Sequence, residues 1–264
     1  MTAHAADELV VRTDGPVATL AFNRPAARNA LTPAMLQGMA KALREWSART
    51  DLRVVVIRGA GELPFSAGYD MAELPAGPLS AAHGRAIHAP VRAVADAMLA
   101  CPHPVLGVVR KFVFGAALDL FAHCDLRVCA EGSTFCMPPN RYSFLYPTDG
   151  LRRLTQVGGH AAVADLLLTA QPMPAERALA HGLVQRVLPQ AGFEEELTSL
   201  LTAVAANAPL SMRGTKQALQ ALTRDDPVDE QAMYQAIADC LNSADAREAQ
   251  LAFREKRPPV FVGR

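Results

Sequence analysis

Short apolar runs of five or six residues alternate with stretches of helical periodicity through most of the chain, and then the runs stop. Residues 9–12 and Val17–Phe22 flank Thr13-Asp14-Gly15-Pro16, a turn-rich link that predicts an opening hairpin. Thr32 precedes Pro33 and is placed to cap a helix carrying Met35, Leu36, Met39, Ala40, Leu43 and Trp46 along one face. Residues 52–57 predict a strand, Val105–Val109 another, Ala116–His123 a short helix and Leu126–Ala130 a further strand. Gly158-Gly159 separates two helices, a helix over 175–181 stops at Gly182, and residues 183–188 form the last strand. Strands punctuated by helices in this way predict a layered α/β fold. From about Phe193 the pattern is helical alone, so the expected division is a core over 1–191 and a helical region over 192–264.

The 264 residues are half hydrophobic and one fifth charged, enough to bury a substantial core. Acidic and basic side chains balance at 26 each, so no global field favours nucleic acid or an anionic membrane. An anionic ligand must be held by local charges. Cys101, Cys124, Cys129, Cys136 and Cys240 have no metal-like spacing and read as reduced thiols, with no disulfide and no metal expected. Residues 1–8 lack a basic segment followed by an apolar run, and no stretch approaches the roughly 18 apolar residues of a membrane span. A cytoplasmic location is the expectation.

Two segments of small residues stand where backbone must approach something closely. Phe65-Ser66-Ala67-Gly68-Tyr69-Asp70 follows a strand and the turn Gly59-Ala60-Gly61. Phe114-Gly115-Ala116-Ala117-Leu118-Asp119 lies at a strand-to-helix junction, where the first helical N–H groups have no internal partner and suit an oxyanion. Taken singly, each is also what a tight turn or a close helix–sheet contact requires.

Together with their flanks these segments resemble the crotonase, or enoyl-CoA hydratase/isomerase, superfamily. The likeness runs through Phe22-Asn23-Arg24-Pro25 and Arg28-Asn29-Ala30-Leu31, the Phe65 to Asp70 motif and Pro104-Val105 to Asp125. It continues through Leu166-Leu167-Leu168-Thr169 with Gly182-Leu183-Val184, then Lys216, and closes on Phe253-Arg254-Glu255-Lys256-Arg257. It implies a crotonase-like spiral of β-β-α turns over 1–191 that binds acyl-CoA, and a C-terminal helical region over 192–264 that builds homotrimers or dimers of trimers. It also implies a coenzyme A thioester as substrate, with no permanently bound cofactor. The oxyanion N–H groups would belong to Tyr69 and to Ala116, which stands where the family has glycine. Coenzyme A would be held by Arg24, Arg28, Ala67, Asp70, Lys256 and Arg257, with the four cations available to its phosphates.

Hydratases of this superfamily use two glutamates, whose places here are taken by Asp119 and Pro139. A positioned proton carrier is worth about 10²- to 10⁴-fold in rate, so loss of one should cripple water addition and leave enolate stabilisation intact. The expected reaction is therefore a double-bond shift of the isomerase type, with Asp119 as first candidate proton carrier and Asp149 as second. Asp149 also fits a cap on a helix starting near Gly150 or Leu151. Other reactions of the superfamily (hydration, decarboxylation or thioester hydrolysis) and an inactive coenzyme A-binding homologue are the alternatives. Arg110-Lys111 replace a common Asn-Gly, Arg141 and Tyr142 follow Pro139, and His83, His88 and His123 read as structural or surface residues.

Overall fold

In the computed structural model, which describes residues 8–224 and 229–264, the opening hairpin forms as its turn residues require. Residues 1–7, part of the segment read above for a leader, lie outside the described residues. β1 (Leu9–Asp14) pairs antiparallel with β2 (Val17–Phe22), Leu9 opposite Phe22 and Asp14 opposite Val17. β3 (Val54–Gly59), β4 (Val105–Val109), β6 (Leu126–Ala130) and β9 (Arg186–Leu188) then add in parallel, in the order β1-β2-β3-β4-β6-β9.

This sheet is apolar on both faces, as a covered parallel sheet must be. Val55 and Ile57 point into a large core with α1 (Pro33–Ser47), α2 (Ala81–Ala100) and α3 (Ala116–His123). Val54 and Val56 point the other way, against Phe193, Leu197 and Val204 of α7 (Phe193–Ala205). A second sheet holds β5 (Phe112–Phe114), β7 (Thr134–Cys136) and β8 (Met173–Pro174) in the order β5-β7-β8. Successive strands alternate between the two sheets before a helix returns the chain, as in β4-β5-α3, which is the β-β-α spiral.

Four details depart from the sequence reading. β3 begins at Val54, leaving buried Leu52 ahead of it. β9 keeps only three residues, because the N–H groups of Leu183 and Val184 both donate to Ala178 O and finish α6 (Ala175–Ala180). The short strands of the second sheet were too brief to read. The twenty-residue α2 was unread because its first half, rich in alanine, buries nothing; its buried residues begin at Val91. Ser80 and His83 close a capping box at its start, which is the role of His83.

After α4 (Thr148–Gly158), α5 (His160–Thr169) and α7 come α8 (Pro209–Arg224), α9 (Glu230–Asn242) and α10 (Ala244–Glu255). Lys216 ties α8 to the body: buried Nζ pairs with Asp125 at 2.8 Å and donates to Met98 O and His103 O at 3.0 Å each. Asp245 at the start of α10 accepts from Val262 N and Gly263 N at 2.7 and 2.9 Å, fastening the tail. Among the described residues no helix is long and apolar enough to cross a membrane.

Candidate active site

Strand pairing brings the two small-residue segments side by side. Phe65 N donates to Phe112 O at 3.1 Å and Phe114 N to Ser66 O at 3.0 Å, extending the second sheet by one bridge. Gly68, at φ +105°, then lies so close to the other segment that a Cβ on it would sit 3.0 Å from Phe114 O and 3.6 Å from Ala116 N. Only glycine fits there. On the far side Leu31 N donates to Gly68 O at 2.7 Å and Asp70 N to Leu31 O at 2.9 Å, straddling Tyr69. Gly68 N is satisfied by the buried Ser66 hydroxyl at 3.0 Å. Among the described residues no hydrogen bond has Tyr69 N or Ala116 N as its donor.

Gly115, at φ +54°, lets the chain turn sharply into α3, whose Leu118 and Asp119 N–H groups return to Gly115 O. Ala116 has negative φ, so its methyl group imposes no backbone strain. Two N–H groups without a backbone acceptor, one of them at the positive end of a helix, thus lie on segments that meet at Gly68 and Ala116, an arrangement chemically suited to an oxyanion.

Asp119 lies one turn further along α3, on the face of Ala116, and only 6% of it is exposed. Its Oδ2 accepts the Tyr146 hydroxyl at 2.8 Å, whereas buried Oδ1 has no hydrogen-bond partner. His123 Nδ1 stands 3.4 Å from Oδ1 and contacts Asp119 O at 2.9 Å. Burial raises the Asp119 carboxyl above the usual range, against the lowering effects of His123 and the Tyr146 hydroxyl. Burial and the same aspartate push the Tyr146 phenol well up. His88 of α2 meets the Tyr146 ring edge-on with centroids 5.9 Å apart, and burial lowers its imidazole.

The family model described as Enoyl-CoA hydratase/isomerase covers residues 12–264. The chain belongs to the crotonase, or enoyl-CoA hydratase/isomerase, family. It is 32% identical to the methylmalonyl-CoA decarboxylase of Escherichia coli K12, over 96% of this chain and 97% of that one. It is 31% identical to the carnitinyl-CoA dehydratase of Salmonella typhi, over 98% and 99%. The structure of an enoyl-CoA hydratase/carnithine racemase from Magnetospirillum magneticum superposes with a TM-score of 0.93 at 33% identity, covering 98% of this chain and 96% of that one. As a crotonase the protein is an acyl-CoA-processing enzyme, and its family acts on coenzyme A thioesters without a permanently bound cofactor.

Pro139, which the resemblance sets at the second proton-carrying position of the family's hydratases, is buried at the start of a 3-10 turn, with Arg141 and Tyr142 exposed beyond it. Asp149 is exposed in the first turn of α4, which begins at Thr148 behind Pro147, so it does not cap the helix. Its carboxylate pairs with Arg92 at 2.6 Å; burial opposes its ionisation, but Arg92 and Gly150 N–H hold the carboxyl below its ordinary range. Arg110 lies over the Phe193 ring at 4.7 Å and pairs with Glu194 and Glu62. Lys111 takes the left-handed conformation, φ +65°, usual for the glycine it replaces.

The six coenzyme A candidates divide. Arg24 pairs with Asp70 at 2.5 Å and Glu8 at 2.9 Å, and Asp70 also caps the turn Met71–Glu73 through Ala72 N–H. Both are occupied in joining the hairpin to the hole. Buried Asn29 completes this joint, accepting from Arg24 N and donating to Pro64 O. Ala67 N donates to Arg28 O at 3.0 Å, which sets the Arg28 and Ala67 backbones together, and the Arg28 side chain is exposed. Arg257 is bidentate to Glu248 and also binds Glu255, while neighbouring Lys256 is exposed. Tyr146 and Gly150 escaped sequence reasoning: nothing local links Tyr146 to an aspartate 27 positions earlier.

Proposed function

We propose that this crotonase forms a thioester enolate at the N–H groups of Tyr69 and Ala116, and that Asp119, bonded to Tyr146, carries the single proton of the reaction. The favoured reaction is decarboxylation of a 2-carboxyacyl-CoA. The observation that carries this reading is a lone, buried carboxyl group that burial biases toward its protonated form. When the bond from C2 to the carboxylate breaks, its electron pair passes into the enolate and carbon dioxide leaves without help from a base. One proton from Asp119 to C2 completes the reaction. A double-bond shift needs Asp119 to lose a proton first, which burial opposes. The resemblance to a methylmalonyl-CoA decarboxylase supports the same choice.

The double-bond shift remains a second reading, favoured by the Tyr146 hydroxyl and His123, both of which stabilise an Asp119 anion. Water addition or removal, the chemistry suggested by the dehydratase relative, lacks its second proton carrier at Pro139. For coenzyme A itself, exposed Arg28 and Lys256 are the cations open to phosphate, and the backbone around Arg28 and Ala67 suits the adenine end. Homotrimeric assembly, or a dimer of trimers, through the helical region 192–264 is supported by exposed Leu219, Leu222, Tyr234, Ile237 and Leu241 on α8 and α9.

The test incubates purified protein in heavy water with malonyl-CoA, methylmalonyl-CoA and a set of 2- and 3-enoyl-CoA esters, with products read by mass. Loss of carbon dioxide with one deuterium at C2 is expected, falling about 10²- to 10⁴-fold in Asp119→Asn. Migration of the double bond without decarboxylation would favour the second reading. Absence of both would overturn the assignment.

A further inference from the structure

Gly150 belongs to no part of the hole, yet the pair formed by Asp119 and Tyr146 depends on its missing side chain. It occupies the third position of α4 and is buried. A Cβ there would stand 2.5 Å from Tyr146 Cε1, 2.9 Å from Asp119 Oδ2 and 3.1 Å from Asp119 Cγ. Real Cβ atoms do not approach other atoms at the first two distances. Backbone freedom is not the reason for glycine, since Gly150 does not have positive φ. The reason is space.

Neither neighbour has room to retreat. Tyr146 is 9% exposed and its ring meets His88 edge-on, and Asp119 sits on a helix whose residues 116–122 are all buried. The first turn of α4 is held from outside by Arg92, which binds Asp149, the residue before Gly150, at 2.6 Å. From inside, Arg153 Nε donates to Ala122 O at 2.7 Å, locking α4 to α3. A methyl group at position 150 must therefore displace the phenol, and the hydroxyl loses Oδ2.

We infer that Gly150 is a positioning residue for proton transfer: by lacking a side chain it lets α4 close on α3 so that Tyr146 bonds to Asp119 in a buried setting. This rests on the assignment of Asp119 as proton carrier. The groups facing Asp119 are Tyr146, His123 and His88, with Asp149 further off, and of these only Tyr146 forms a hydrogen bond to the carboxyl. In Gly150→Ala the hydroxyl donor is replaced at Oδ2 by hydrocarbon, and burial persists. The carboxyl then holds its proton to higher pH than in the wild type, as it does in Tyr146→Phe.

The experiment compares wild type, Gly150→Ala, Tyr146→Phe and the double variant. It measures the pH profile of turnover on the substrate the wild type accepts, and the infrared carboxyl band of Asp119, assigned by its loss in Asp119→Asn. Expected results are a rate lower by roughly 10²-fold in Gly150→Ala, the scale of an ångström of misplacement. The ionisation limb and carboxyl band should move upward in pH by the same amount in both single variants, and the double variant should be no worse than either. A merely structural role would lower the folded fraction and leave limb and band in place. That outcome, or losses that multiply in the double variant, overturns the inference. If the wild type itself has neither turnover nor an Asp119 band that titrates, the failure lies with the proton-carrier assignment.

Discussion

At the scale of single residues the unusual group is Asp119, a carboxyl with one oxygen on Tyr146 and the other without any hydrogen bond inside the core. Because burial raises its folded-state proton affinity above that of an unfolded aspartate, the folded protein binds the extra proton more tightly. Its contribution to stability is therefore greatest when protonated and declines as pH rises from the ordinary aspartate range through the raised folded value. We expect the unfolding midpoint of wild type to fall across that interval, and Asp119→Asn, which carries no charge to bury, to flatten this part of the profile. Calorimetry over pH 4 to 8 checks this, and a steeper decline in the variant would contradict it. The sequence singled out Asp119, Tyr69 and Ala116 as candidates, since these lie in contiguous motifs. It was silent on Tyr146 and Gly150, which reach Asp119 only because α4 folds back on α3.

At the scale of elements, the sheets and helices are joined by a few buried polar ties. Arg24, Asp70, Glu8 and Asn29 connect the hairpin to the segment that carries Tyr69, which explains why the candidate coenzyme A cations are not all open to ligand. Lys216 is the corresponding tie for α8, with every proton of its ammonium group engaged. Lys216→Ala should lower stability by about 3 kcal/mol, because it strands part of Asp125 and two carbonyl groups in the interior. Val105 N still donates to Asp125 at 2.8 Å and limits the damage. Urea titration measures the loss, while turnover per folded molecule should be unchanged, since no atom of this tie touches the hole. Here the sequence showed a lysine in a helix without its partners, which come from the end of α2, the loop that follows it and the residue before β6.

At the scale of the molecule, α8 and α9 carry large apolar side chains on their outer surface: Leu222 and Leu241 are both 69% exposed and Tyr234 is 70% exposed. An isolated chain would hold this surface against water at a cost of about 25 cal/mol per Å² of apolar area. Burying it between copies relieves that cost. On the proposed assembly through these helices, Leu222→Asp combined with Leu241→Asp should yield monomers where the wild type yields oligomers, read by light scattering on a sizing column. A wild-type protein that is already monomeric would remove the basis for assembly through these helices.

The sequence by itself determined the strands of the main sheet, the opening hairpin, the capped α1 and the two small-residue segments that carry Tyr69 and Ala116. All of these depend on neighbours within a few positions, where periodicity, caps and turn chemistry act. Pro139 stood out through the resemblance to the family's hydratases, which have a glutamate at the matching place. The tertiary structure alone decided which charges are occupied and which are open. It also placed Asp149 on the surface with Arg92, enclosed Asp119, and set α4 close enough that one absent Cβ matters. Those outcomes depend on burial and on contacts between residues far apart in the chain, and both arise only when the spiral closes and the helices pack against it.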